Sequence, residues 1–408
     1  MAGNGKTVVI VNGARTPMAE WIGGKRGDGK PGGALASVSA IDLGAIAAKG
    51  ALERSGVPAS DVGHVIMGNA MQTSGDALYG ARHVGLKAGV PKPVPALTVN
   101  RLCGSGIQSV VNAAHLLLLD EAKIVLAGGM ENMSQAPHVA RGLRSGLRLG
   151  QQPVLEDSLA VALTDSLCGL LMAQTSDRLA TKYGIKREAQ DDYAMRSHTA
   201  GTEATKSGRF AEEIVPVEIP QKRGDPVRVT ADDHFQVAPS REALAKLPAH
   251  FGPESTVTAG NASGVVDGAA AVVVTTADEA KARGLSPLGS IVSWAYVGVE
   301  PSEMGIGPAP AIRAALSNAG LSIDQIDLFE INEAFAGQYL AVEKELGLDR
   351  AKVNVNGGAI ALGHPLGATG TRLLYTLLLE LRKRGKSIGV ASACIGGGQG
   401  IAMVVRAA

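Results

Sequence analysis

Cysteine and histidine, the residue types that store acyl groups and move protons near neutral pH, sit in glycine-bound blocks at opposite ends of this chain. Cys103 lies in Val99-Asn100-Arg101-Leu102-Cys103-Gly104-Ser105-Gly106, and His364 lies in Gly363-His364-Pro365-Leu366-Gly367. Cys394 opens the turn Cys394-Ile395-Gly396-Gly397-Gly398-Gln399-Gly400. A thiol becomes a nucleophile once it is deprotonated, and an imidazole can take that proton. At the mouth of a helix, backbone N–H groups and the positive dipole end are expected to favour the thiolate of Cys103. The same cysteine also fits a turn as a small apolar plug, and an isolated histidine is ordinarily a satisfied surface or core residue. The glycines around Gly396 expose N–H groups suited to a developing oxyanion, although such turns also arise for steric reasons. Asn332, in Asn332-Glu333-Ala334-Phe335, offers an amide for a water or a carbonyl oxygen, or serves as a turn residue.

The elements that must position these groups repeat. The first part reads as strand Thr7–Val11, a glycine-rich loop through Gly33, and a helix from about Ala40 to Ser55, stopped by Gly56 and Pro58. Strand Val62–Met67 follows, then the Cys103 loop. Apolar residues at Ile107, Val110, Val111, Ala114, Leu117 and Leu118 trace one buried helical face after that loop. Strand Ile124–Ala127 closes the set. The last part has the same order: helix Pro310–Asn318, strand Ile326–Ile331, the His364 loop, a helix with Leu373, Leu374, Leu377, Leu378 and Leu381 on one face, and strand Ile388–Ala393. Cys103 and His364 thus open matching helices some 260 positions apart, the mark of a duplicated β/α unit. Such alternation predicts right-handed crossovers and mixed, largely parallel sheets. Corresponding loops of two packed halves converge at the carboxyl ends of their strands, which brings nucleophile and base to one place.

The copies differ in one respect. Strand Ile401–Val405 follows Cys394 almost at once, whereas its counterpart Ala270–Thr275 is delayed, so about 132–264 reads as an insertion. The expected organisation is a first half at 1–131 completed by about 265–286, the inserted domain at 132–264, and a second half at 287–408. The insertion carries the Arg/Gly-rich run Arg141–Leu149, helical stretches near Leu171–Tyr183 and Arg187–Ser207, and a turn at Lys222–Pro226. A long insertion on one face of a scaffold is either a binding element or a structural, oligomer-forming one.

Composition narrows the classes. The 408 residues are 45% hydrophobic with a formal net charge of +1, which gives no electrostatic footprint for nucleic acid or an anionic membrane. Aromatics are only 3% beside 53 glycines, which suits close packing with tight turns. No apolar run spans a bilayer, and the start shows no signal-peptide h-region. Three widely separated cysteines give neither a disulfide framework nor a metal-ligand spacing. A soluble cytoplasmic protein is expected. Dinucleotide, Walker A, H-E-x-x-H and C-x-x-C templates are absent. A Cys/His hydrolase fits Cys103 and His364 but leaves the second cysteine in a glycine-rich turn without a use.

The blocks Asn100–Gly106, Asn332–Phe335, Gly363–Gly367 and Cys394–Gly400 together resemble the thiolase family, as does Ala259-Gly260-Asn261-Ala262-Ser263-Gly264 before Asp267-Gly268. The likeness runs end to end in the family's order. It implies an α/β thiolase fold, two similar halves forming a five-layered α-β-α-β-α core with an inserted loop domain, assembled as a dimer or tetramer. It implies Cys103 as the acylated nucleophile, His364 as its base, and Cys394 as the acid/base at the α-carbon. Asn332, through a water, and His364 would form one oxyanion hole; the N–H groups of Cys103 and Gly396 would form the other. No metal or other cofactor is implied, coenzyme A and acyl-CoA being substrates. Ser263, Met172, Leu247, Phe251, Ala259 and Phe335 would line the pantetheine and acyl channel, with Lys222, Arg223 and Arg228 toward the phosphates. The implied reaction is reversible cleavage of 3-ketoacyl-CoA, acetoacetyl-CoA included, to acetyl-CoA and acyl-CoA. Many acetoacetyl-forming members carry His before the loop Met; here Leu171 precedes Met172, which leaves room for longer chains. The rival readings are a decarboxylating ketoacyl synthase, in which a histidine or asparagine would replace Cys394, and a silent acyl-CoA-binding protein.

Overall fold

The computed structural model describes residues 5–21, 33–234, 239–249, 251–252 and 254–408; most of the glycine-rich loop expected before Gly33 lies outside these. Strands β1 (Val8–Arg15), β2 (His64–Gly68), β3 (Ala96–Val99), β4 (Ile124–Glu131) and β5 (Val266–Thr276) belong to the first half. Strands β6 (Gly289–Gly298), β7 (Leu328–Ile331), β8 (Ile388–Ile395) and β9 (Gln399–Ala407) belong to the second. Their order is β3-β2-β4-β5-β1-β6-β9-β8-β7, and the halves join where Val9 and Ile10 of β1 meet Ser290 and Gly289 of β6.

Alternation along these strands sends side chains to two different cores. In β4, Val125 and Ala127 face one cluster while Ile124, Leu126 and Met130 face another. In β9, Ile401, Met403 and Val405 face the first cluster, whereas Ala402 and Val404 face a third. That period of two is what a sheet covered on both sides requires. The shared cluster is filled by α3 (Ser105–Leu118) and α8 (Leu366–Lys383), the helices that follow Cys103 and His364. Helices α1 (Ala40–Ser55) and α2 (Gly80–Lys87) cover the outer face of the first half, and α6 (Pro308–Ala319) and α7 (Ala336–Leu346) that of the second. Five layers result, as the family resemblance implies.

Helix α1 occupies the span read from the sequence: Ser39 caps its start by accepting from Asp42 N–H, and Gly56 ends it at φ +68°. The expectation of largely parallel sheets does not hold. Strands β2, β3 and β4 pair in parallel, as do β7 and β8, but the pairs β1/β5, β5/β4, β6/β9 and β8/β9 are antiparallel. The reason is connection length: three glycines join β8 to β9, far too few residues for a parallel crossover.

Helices α3 and α8 meet through glycine. A Cβ on Gly106 would lie 2.4 Å from Thr371 N, and one on Gly370 would lie 2.4 Å from Ile107 N. Likewise a Cβ on Gly129 would sit 1.8 Å from the carbonyl oxygen of Gly367. Backbone on backbone, these contacts set the distance between the two helix mouths.

Between β4 and β5 run helices α4 (Met172–Tyr183) and α5 (Arg187–Lys206) with three small hairpins, none pairing with the main sheet. Buried Arg15, at the end of β1, ties this stretch to the first half. It forms a two-point pair with Asp232 (2.7 and 2.9 Å) and a third bond to Glu213 at 2.9 Å.

Candidate active site

Strand β3 delivers the chain into the Cys103 loop, and polar side chains then fix its shape. Asn100 Oδ1 accepts from Leu102 N–H (2.8 Å) while Asn100 Nδ2 donates to Ala70 C=O (3.1 Å). Leu102 is held at φ +45°, a left-handed conformation that is costly for a branched side chain. Ser105 Oγ accepts from Arg101 N–H (2.9 Å) and donates to Leu102 C=O (2.7 Å). Cys103 therefore sits in a single 3-10 turn, Leu102–Gly104, ahead of α3.

The expected thiolate is not favoured in this setting. Burial pushes the Cys103 thiol up to about 11, and the N–H groups of Gly396 and of Cys103 itself, which hydrogen-bond to the sulfur, offset this only in part. Desolvation outweighs the helix terminus. For such a thiol to attack a carbonyl, a base would have to take its proton.

His364, the expected base, sits just before α8. Gly363, at φ +91°, turns the chain so that His364 N–H donates to Gly264 C=O at 2.9 Å. His364 Nδ1 lies 2.6 Å from Thr369 Oγ1, and the Thr369 hydroxyl donates to Pro365 C=O at 3.0 Å. With its hydrogen engaged there, Thr369 Oγ1 can only accept, so Nδ1 carries the imidazole proton. Nε2 is left as the acceptor, 3.3 Å from Asn332 Nδ2. Burial lowers the His364 pKa to about 3, with nearby Arg372 adding to the effect. The ring is neutral and ready to receive a proton.

Strands β7 and β8, parallel neighbours, supply the remaining groups. Asn332 follows β7, its N–H donating to Ser392 C=O at 2.9 Å, and its buried Oδ1 has no hydrogen-bond partner among the described residues. Cys394 lies two places further along β8 than Ser392, fully buried beside Met304, Ala334, Met172 and Phe335. Burial and the neighbouring Cys103 both raise its thiol above the ordinary range. Gly397 and Gly398 take φ +81° and +82°, reversing the chain just past Gly396. The structure thus sets Cys103 beside Gly396 and Cys394, and His364 beside Asn332.

A cavity of about 380 Å³ with mostly apolar walls reaches His364. Of the residues expected to line a substrate channel, Ser263, Met172, Phe251, Ala259 and Phe335 border it. Leu247 and Arg223 do not. Leu247 packs beneath Gly260 and on the outer core of the second half. Arg223 and Lys222 stand on an exposed bend, and Arg228 is exposed on the strand Val227–Val229 that follows. Sequence reasoning missed Trp21, Met133, Leu163 and His234, which also border it. It also missed Thr369, whose only signal was a hydroxyl five residues beyond His364. Glu333 accepts from Tyr193 (2.6 Å), Ser197 (2.7 Å), Asn354 (2.8 Å) and Ile360 N–H (3.1 Å), which anchors the stretch leading to His364.

Comparison with known proteins points one way. The family description "Thiolase, N-terminal domain" matches residues 8–278, and "Thiolase, C-terminal domain" matches 285–407. The human mitochondrial 3-ketoacyl-CoA thiolase is 50% identical over 98% of each chain. The acetyl-CoA acetyltransferase of Cupriavidus necator is 48% identical over 98% of this chain and 99% of its own. Among solved structures, the human mitochondrial 3-ketoacyl-CoA thiolase in complex with CoA superposes with a TM-score of 0.93 at 49% identity, covering 99% of this chain and 98% of that one. The Bacillus anthracis acetyl-CoA acetyltransferase gives 0.94 at 42% identity, covering 99% of both.

Proposed function

The chain belongs to the thiolase family, and on that premise we propose how its site performs acyl transfer to and from coenzyme A. His364 Nε2 takes the proton of Cys103, whose sulfur attacks the 3-keto carbon of a 3-ketoacyl-CoA. The oxyanion so formed is received by the N–H groups of Cys103 and Gly396. Collapse breaks the bond between C2 and C3, leaves the acyl group on Cys103, and places the electron pair in the acetyl-CoA enolate. Asn332, through a water, and His364 stabilise that enolate oxygen while Cys394 delivers a proton to C2. The thiol of a second coenzyme A, deprotonated by Cys394, then takes the acyl group from Cys103 and releases acyl-CoA. Run backwards, the sequence is a Claisen condensation.

The observation that carries this reading is the pairing across the two halves. The Gly396 N–H reaches the Cys103 sulfur, while Nε2 of a neutral His364 faces Asn332. Incubation with acyl-CoA tests it: the chain should gain one acyl mass on Cys103, and C103A should gain none. Condensation assays with malonyl and acetyl donors separate this reaction from that of a decarboxylating synthase, which would need the malonyl donor.

The stretch 132–264 is proposed to hold coenzyme A, with Lys222, Arg223 and Arg228 offering charge to its phosphates. Apolar walls at Leu163, Leu171 and Leu366 support acyl chains longer than acetoacetyl. A homotetramer working in the cytoplasm is the proposed assembly and setting. Sedimentation and steady-state rates across a series of 3-ketoacyl-CoA lengths test these points.

A further inference from the structure

Glu131 closes β4 and is fully buried. It belongs to no step of the chemistry, yet four N–H groups from two segments far apart in the chain converge on its carboxylate. Oε1 accepts from Asn69 Nδ2 at 2.8 Å and Met71 N at 2.9 Å. Oε2 accepts from Ala70 N at 3.0 Å and from Gly367 N at 2.9 Å. Gly367 lies in the first turn of α8, three residues beyond His364, where a carboxylate also meets the positive end of the helix dipole. From Ala70 the connection continues: its carbonyl accepts from Asn100 Nδ2, and Asn100 Oδ1 accepts from Leu102 N–H beside Cys103. An unbroken hydrogen-bonded path therefore runs from the helix of the base, through Glu131, to the strained turn of the nucleophile. The backbone is tightly packed at the junction: a Cβ on Gly367 would lie 2.6 Å from Met130 O and 2.8 Å from Gly68 O.

We infer that Glu131 is a positioning residue, whose carboxylate clamps the mouth of α8 to the 69–71 loop and so sets His364 Nε2 against the Cys103 sulfur. The inference rests on the proposed roles of those two residues. The clamp demands an acceptor at both oxygens. Glutamine has the shape of glutamate, but its NH₂ would confront two N–H donors whichever way it turned. E131Q therefore opens the clamp without leaving a cavity. A second role would move the chemistry the other way. If Glu131 acted only through its negative charge, which disfavours ionisation of Cys103, neutralising it would ease thiolate formation and quicken alkylation.

The test uses the full-length protein. Misplacement of a base on the order of 1 Å costs roughly 100-fold. E131Q should accordingly keep its KM for coenzyme A within about twofold while kcat falls by about that factor. Carbamidomethylation of Cys103 by iodoacetamide, followed by mass spectrometry of its peptide, should slow by about tenfold or more. N69A removes one donor of the four and should lower kcat by roughly fivefold at unchanged KM. It decides the matter if thermal melting shows E131Q unfolded. Wild-type kcat in folded E131Q, faster alkylation of its Cys103, or, failing E131Q, wild-type kcat in N69A would overturn the clamp. Absence of thiolysis in the wild-type protein would overturn the functional reading instead, and the alkylation rates would still judge Glu131.

Discussion

Replacing Thr369 by valine keeps the volume of the side chain and removes only the hydroxyl that receives the His364 Nδ1 proton at 2.6 Å. Thr369 and His364 are both buried, so no solvent replaces the lost acceptor. Leaving that N–H unsatisfied costs about 1–3 kcal/mol. The ring can avoid the cost by carrying its proton on Nε2 instead, but it then presents a donor where the mechanism requires a base. At about 1.4 kcal/mol per factor of ten, the working tautomer becomes scarcer by roughly 5- to 150-fold. We expect kcat for thiolysis to fall by that factor, with KM for coenzyme A within about twofold, since Thr369 does not border the cavity. T369S, which restores the hydroxyl, should recover most of the rate. Steady-state kinetics of the three proteins provide the assay. A T369V enzyme with kcat within about twofold of wild type would refute the tautomer argument, because the energetic gap it needs would not exist.

Other outcomes follow from the same geometry. C394A should still acquire an acyl group on Cys103 but should no longer exchange the α-protons of acetyl-CoA in deuterated buffer; retained exchange would reassign the acid/base at C2. In G129A a new Cβ would meet the Gly367 carbonyl at 1.8 Å, so denaturant unfolding should show a loss of about 3 kcal/mol or more, against near-neutral behaviour at a loosely packed site. Stability should also depend on the protonation of His364, whose pKa falls from 6.5 to about 3 on folding. The unfolded chain binds that proton first, so this contribution is complete above about pH 6.5 and is lost by about 1.4 kcal/mol per unit as the pH falls toward 3. Glu330, raised to about 8 by burial, opposes it by gaining stability on acidification. The measurement is therefore the difference between wild type and H364Q, which should shrink from pH 6.5 to 5.

The groups proposed to carry the chemistry stood out in the sequence because each is announced by its neighbours: Cys103 and His364 by glycines at helix mouths, Cys394 by the glycines after it, and Asn332 by a strand that ends just before it. Helix α1 was legible to the residue because Ser39 and Gly56 cap it locally. What sequence reading missed depends on folding back. Strand β1 runs on to Arg15, past Asn12 and Gly13, because β5 pairs with it there across a shifted register. The protonation state of Cys103 depends on burial contributed by both halves, which no local pattern records. Thr369 and Glu131 are ordinary residues in their own segments and acquire roles only when α8 is laid against β4. Leu247 looked like a channel residue by resemblance, but Gly260 leaves space that its side chain fills instead.

The long detour between β4 and β5 also shapes how the protein is made. Strand β1 cannot pair with its neighbour until Val274, Thr275 and Thr276 have left the ribosome, because Ile10, Val9 and Val8 lie opposite them. Contacts this distant along the chain close slowly, and a chain emerging at about 5–20 residues per second leaves its earliest segment waiting for many seconds. During that interval Val8, Ile10 and the face of α3 lack their cover, and Cys103 stands in a loop without Gly396 or His364 beside it. A nascent thiol of this kind is spared the burial that raises its pKa in the folded chain, so it ionises more readily than the finished one while it is still unshielded.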